Sequence, residues 1–143
     1  MCKWMGQGMR AYLALTNFLS PLVWLAARLW IARVFFYSGL TKIHDWSSTL
    51  YLFENEYHVP LLPIPVAAFS AALFELSCPV LLVLGFGTRL AALPLLAMTA
   101  VIQFTYDQNI EHLYWALLLG LLLTNGPGKL SVDHWVRRRW MGQ

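Results

Sequence analysis

The sequence predicts an all-α integral membrane protein: an antiparallel four-transmembrane-helix bundle with a short C-terminal interfacial helix. Three observations predict it. Hydrophobic residues make up 59% of the 143 residues and charged residues only 12%, too little polar surface to cover a soluble domain of this size. The apolar residues gather into four segments separated by helix breakers. The basic residues fall between those segments in an order that gives one consistent topology. The chain is read as a single membrane domain over residues 1–143.

The first span is placed at 22–43. The basic start and "WLAAR" resemble a cleaved signal peptide, but the apolar run continues well past them, and a retained span is expected. The second span, 66–86, is announced by Pro60, Pro63 and Pro65 and closed by Gly85 and Gly87. The third and fourth, 90–106 and 110–125, fall somewhat short of the roughly 20 residues that cross about 30 Å of hydrocarbon. "NGPG" ends the fourth. From Ser131, Val132, Trp135, Val136 and Trp140 share one helical face and leave the Arg137–Arg139 run for lipid headgroups.

Orientation follows from charge. Lys3 and Arg10 precede the first span, Arg89 sits in the turn after the second, and Lys129 with the arginines follows the fourth. No Lys or Arg lies between Asp45 and Thr88. With four spans the basic regions share one side, which predicts a bacterial-type inner membrane protein with both termini in the cytoplasm. Lys42 is the exception. The net charge of +3 is read as topology signal and not as a nucleic-acid footprint. Seven Trp residues suit membrane interfaces. Cys2 and Cys78 form no CxxC pair, so no dithiol motif follows.

Polar residues inside apolar segments are the candidate functional groups. Arg33 and Glu75 lie about 15 and 14 Å below the outer ends of the first two spans at 1.5 Å per residue. Equal depth on adjacent antiparallel helices predicts an intramembrane ion pair, either a clasp that fixes register or a proton or ligand relay. Arg28, nearer the cytoplasmic end, is expected to snorkel.

A second set, Lys42, His44, Asp45, Gln103, Asp107, Glu111 and His112, converges at the outer face. Its imidazoles and carboxylates suit a divalent metal or proton exchange with a quinol. A hydrated helix rim is the plainer reading. In the loop "LFENEYHVPLLPIP", Glu54, Glu56 and His58 fall at alternate positions. Glu54 and His58 share a face whether the loop is helical or extended. Tyr37, Trp46, Tyr51, Phe53, Tyr57, Tyr106, Tyr114 and Trp115 gather at the same level, as an interfacial belt or as the walls of a quinone pocket.

The stretches "RVFFYSGLTKIHDW", "FELSCPVLLVLGFGTRLAAL" and "EHLYWALLLGLLLTNGPGKLSVD" resemble the DoxX family of small four-helix membrane proteins. The loop "YLFENEYHVPLLP" resembles the subgroup found beside bufferin-type copper-binding peptides and the iron-dependent enzymes that modify them. The resemblance implies an accessory membrane subunit of a redox-linked, quinone-interacting system, set in copper stress or modified-peptide maturation. Relatives resemble membrane subunits of thiosulfate:quinone oxidoreductase or partners of soluble redox enzymes.

No haem or flavin motif is present, so any cofactor would be held by a partner protein, with quinone or a metal ion as the ligands in view. Two other functions stay open. One is transport or binding of a metal, metallated peptide or small substrate at the outer face. The other is an assembly scaffold whose polar pairs fix the bundle. Separately, a four-helix protein this small suits pairing into a homodimer, which buries more surface.

Overall fold

The computed structural model describes residues 2–57, 62–106 and 108–140, with side chains from residue 8 onward. Six helices follow one another: α1 (Cys2–His44), α2 (Trp46–Asn55), α3 (Ile64–Leu84), α4 (Thr88–Thr105), α5 (Ile110–Asn125) and α6 (Val132–Trp140). Helices α1, α3 and α4 are long and apolar enough to cross a membrane; α5 is apolar but shorter, at 16 residues.

The first helix starts well before residue 22, and Pro21 lies inside it. Proline removes one backbone N–H and crowds the preceding turn, a defect that long membrane helices accommodate. At 43 residues α1 runs about 64 Å. Its stretch from Met9 to Val23 leaves large apolar side chains exposed.

The segment after α1 is a helix where the sequence reading had a loop. Asp45 caps α2 by accepting from the Ser48 backbone N–H at 3.0 Å and from both neighbouring serine hydroxyls. Thr49 pins the corner by donating to the carbonyls of Lys42 and Asp45. The helix buries Phe53 against Ala67, Ala68 and Ala71 of α3, with Leu50 and Tyr57 packed alongside.

Small residues let α1 and α3 approach closely, as membrane helices do in the absence of a strong hydrophobic drive. A Cβ on Gly39 would stand 3.0 Å from the Glu75 Cβ and from Leu76. Arg28, further back on α1, meets Gly85, at the other end of α3, so the two helices run in opposite directions. Helices α4 and α5 do the same: Arg89 donates to the Thr124 carbonyl, and Gln103 meets His112. Ile31, Phe35, Leu82, Ala92, Leu95, Leu119 and Leu122 are core residues at the centre of this packing.

The far end is tied together by α6. Asp133 accepts from the backbone N–H groups of Gly87 and Thr88 at 2.8 and 3.1 Å. It thus caps α4, whose own N-cap is a glycine. Arg28 is 1% exposed and donates to the Leu130 carbonyl. It does not snorkel to water, because the 126–131 turn folds over it. Gly85 has φ 68° and keeps open the space that the Arg28 guanidinium fills.

Candidate functional site

Glu75 pairs with Lys42 and not with Arg33. Lys42 Nζ lies 2.8 Å from Glu75 Oε2 and donates to Oε1 at 3.0 Å and to Ser38 Oγ at 2.9 Å. The side chains are 11% and 2% exposed. Arg33 is exposed on another face of α1, with its guanidinium 5.7 Å from the Tyr37 ring centre.

The expected Arg33–Glu75 pair does not form, because α1 and α3 are staggered. Gly39 is the residue opposite Glu75. From that level α3 continues about 16 Å to Ile64, whereas α1 ends about 8 Å on, at His44. The difference is filled by α2, which folds over the end of α1 and packs on the projecting turns of α3. Glu75 therefore lies near the C-terminal end of α1, within reach of Lys42.

Two cavities meet at Lys42. The first, of about 210 Å³, lies among α2, α3 and α4. Its walls are apolar, chiefly Phe53, Leu62, Ala71, Phe74, Met98 and Val101, and Lys42 and Glu75 supply charge on its lining. Phe74, Leu62 and Ala97 on its lining are exposed, so it opens sideways between apolar helices.

The second cavity, of about 270 Å³, is lined by Ser38, Thr41, Lys42, Asp45, Ser48 and Thr49 together with Leu52, Phe53 and Tyr57. Lys42, Phe53 and Tyr57 border both cavities. Tyr57 stacks edge-on against Phe53 at 4.9 Å and Tyr106 at 5.0 Å, linking the end of α2 to the end of α4. Burial, with Tyr106 and the carboxylates Glu75 and Glu56 nearby, pushes the Tyr57 phenol up from its usual 10.0. It remains an O–H donor at neutral pH.

The outer-face set expected to converge is divided. Lys42 joins Glu75. Asp45 is consumed as the cap of α2, where hydrogen bonds from the Ser48 hydroxyl, the Ser48 backbone and the Ser47 hydroxyl hold its carboxyl down to about 2. Gln103 and the buried His112 form their own contact across α4 and α5, Oε1 to Nδ1 at 3.2 Å, with the imidazole edge-on to Trp115.

His44 and Glu111 are exposed, as are Glu54 and Glu56. Asp107 and His58 lie outside the described residues. Among the described residues no three His, Cys, Asp or Glu side chains come together as a metal-binding group. Ser38 went unnoticed in the sequence, although it lies one helical turn before Lys42, on the same face.

Fold and site together define a small helical membrane protein whose buried lysine–glutamate pair borders an apolar cavity. The DoxX family model matches residues 23–108, more than half of the chain and the whole of this site, and the chain belongs to the DoxX family. Members of that family are generally small membrane proteins linked to redox-related systems. A protein of Haemophilus influenzae, described as uncharacterized, is 29% identical over 128 residues, covering 80% of this chain and 83% of that protein. No solved structure matches the chain.

Proposed function

We propose that this protein is the membrane subunit of a redox-linked system and that the apolar cavity receives the ring of a quinone. The observation that carries the reading is the Lys42–Glu75 pair on the lining of a cavity whose exposed edge, Leu62, Phe74 and Ala97, is apolar. A quinone is a planar apolar body with two carbonyl acceptors, and it partitions into the bilayer. Such a ligand needs apolar walls and a few convergent polar groups, which Phe53, Phe74 and Met98 provide with Lys42, Glu75 and Tyr57.

Reduction of a quinone to its quinol takes two electrons and two protons. The electrons come from a cofactor on a partner protein. On this chain the Lys42 ammonium donates a hydrogen bond to one carbonyl and the first proton as charge develops there, while Glu75 keeps the ammonium in place; the second proton, to the other carbonyl, is taken from water. In the same proposal α5 completes a four-span antiparallel bundle, with the termini on the cytoplasmic side of an inner membrane. The copper-stress or peptide-maturation setting implied by the wording of the α2–α3 loop concerns the partner.

The test uses decylubiquinone with the protein in lipid nanodiscs, and turnover with the native partner complex. Parent protein is expected to bind decylubiquinone, and Lys42→Met to lose that binding. Lys42→Arg is expected to keep binding and lose turnover, because arginine stays protonated in proteins. Absence of binding in the parent, or equal binding in Lys42→Met, would sink the quinone reading. Full turnover in Lys42→Arg would remove the proton role and leave Lys42 as a clasp.

A further inference from the structure

Lys42 is the only charged group that lines both cavities among the described residues. On one side of it the walls are apolar and the exposed lining residues are Leu62, Phe74 and Ala97. On the other side Ser38, Thr41, Asp45, Ser48 and Thr49 supply hydroxyls and a carboxylate, and Thr41, Asp45 and Ser48 are exposed. This space of about 270 Å³, walled also by Leu52, Phe53 and Tyr57, has room for several waters at roughly 30 Å³ each, and hydroxyls to hold them.

We infer that Lys42, the ammonium of the pair, is reached from two phases: from lipid through the apolar cavity, and from water through the Ser38–Thr41–Asp45 cavity, which carries protons to and from Lys42. Two-sided access stands on the geometry alone, and the proton role rests on the quinone reading.

The relay has a definite first link. Ser38 Oγ accepts from Lys42 Nζ at 2.9 Å and is part of the polar lining. When Lys42 has given a proton to a ligand oxygen, its neutral amine takes the Ser38 hydroxyl proton as Oγ takes one from a cavity water. One proton enters from water and one leaves to the ligand, so Ser38 and Lys42 return to their starting states. The charged and titratable groups facing this route are Lys42 from α1, Asp45 from the corner, Tyr57 from the end of α2 and Glu75 from α3. Asp45 is already held by the serines and keeps a negative charge at the mouth.

Single cysteines test the access directly. In a Cys2→Ser/Cys78→Ala background, Ser38→Cys, Thr41→Cys and Ala97→Cys are reconstituted in nanodiscs and exposed to a charged, lipid-excluded methanethiosulfonate or to a lipid-soluble maleimide. Monodisperse elution serves as the check on folding. Thr41 and Ala97 are exposed, so those two variants tolerate the change.

Ser38→Cys and Thr41→Cys are expected to react with the charged reagent on the order of tenfold faster than Ala97→Cys, because the reacting thiolate needs a hydrated site. The maleimide is expected to reverse that order. Resistance of both Ser38→Cys and Thr41→Cys to the charged reagent, with maleimide labelling intact, overturns the aqueous side. Equal charged-reagent labelling of Ala97→Cys and Thr41→Cys overturns the lipid side. Quinone binding is read separately, so aqueous labelling without binding ends the quinone reading alone, and binding without aqueous labelling ends this inference alone.

Discussion

Replacing Lys42 by methionine removes both hydrogen bonds that Lys42 Nζ makes within the site and the cation that faces Glu75. The Glu75 carboxylate would then remain 2% exposed on a two-carbon stem that cannot reach water. Breaking a buried pair from one side costs about 3–5 kcal/mol, most of it the uncompensated charge. The reverse change is milder. With Glu75→Leu, Lys42 keeps Ser38 and is 11% exposed beside the polar cavity, so the loss is set by unmade hydrogen bonds at about 1–3 kcal/mol.

The double variant Lys42→Met/Glu75→Leu leaves no orphaned charge and is expected within about 1 kcal/mol of the parent. At roughly 3 °C per kcal/mol for a chain of this length, Lys42→Met melts about 10 °C below the parent. Cys78 is buried, so its labelling by a thiol-reactive dye on heating, in a Cys2→Ser background, reports unfolding. If Lys42→Met melts with the parent, or if the double variant gains nothing over it, the pair is not the buried charge centre described above.

Gly39→Ala places a Cβ 3.0 Å from Glu75 and Leu76, and overpacking of this kind costs about 1–3 kcal/mol; a melting temperature at or above the parent's would show that α1 and α3 separate freely. The Asp45 carboxyl is held at about 2 against its usual 3.8, so its contribution to capping α2 is complete above about pH 4 and is lost as the pH falls towards 2. Tryptophan fluorescence is expected to change over that window in the parent and not in Asp45→Asn, and an identical change in both would remove Asp45 as its source.

Helix positions were legible because composition and breakers are local signals. Helix α5 falls on the fourth apolar segment and α3 and α4 lie within a few residues of the second and third, whereas α1 reaches the end of the first but begins about 20 residues before it. Two features depended on information that periodicity does not carry. Whether 46–55 is loop or helix turns on the Asp45 cap and on Phe53 finding the alanine face of α3, which is a tertiary contact. The partner of Glu75 depends on the stagger of α1 against α3, and Gly39 sets that stagger through one close approach. The sequence did contain a hint in Ser38, Gly39 and Lys42, which place a hydroxyl, a gap and an ammonium along one stretch of helix. Lys42 and Glu75 both stand out in the sequence as charged residues at or within apolar segments, one at a span end and one mid-span.

Exchanging Arg33 for Lys42 as the partner of Glu75 changes the chemistry as well as the register. A guanidinium holds its proton throughout the range in which proteins work, and it serves best as a fixed fork for carboxylates. An ammonium is a compact point charge with three donors on a flexible four-carbon stem. The pair also lies where two surroundings of opposite character meet, with apolar walls on one side and hydroxyls on the other. A mid-span arginine pair would have had lipid or packed side chains around it, and its simplest use would be to lock two helices. A lysine pair whose ammonium borders both cavities locks the same helices and faces both surroundings, which is why the proposed chemistry centres on it.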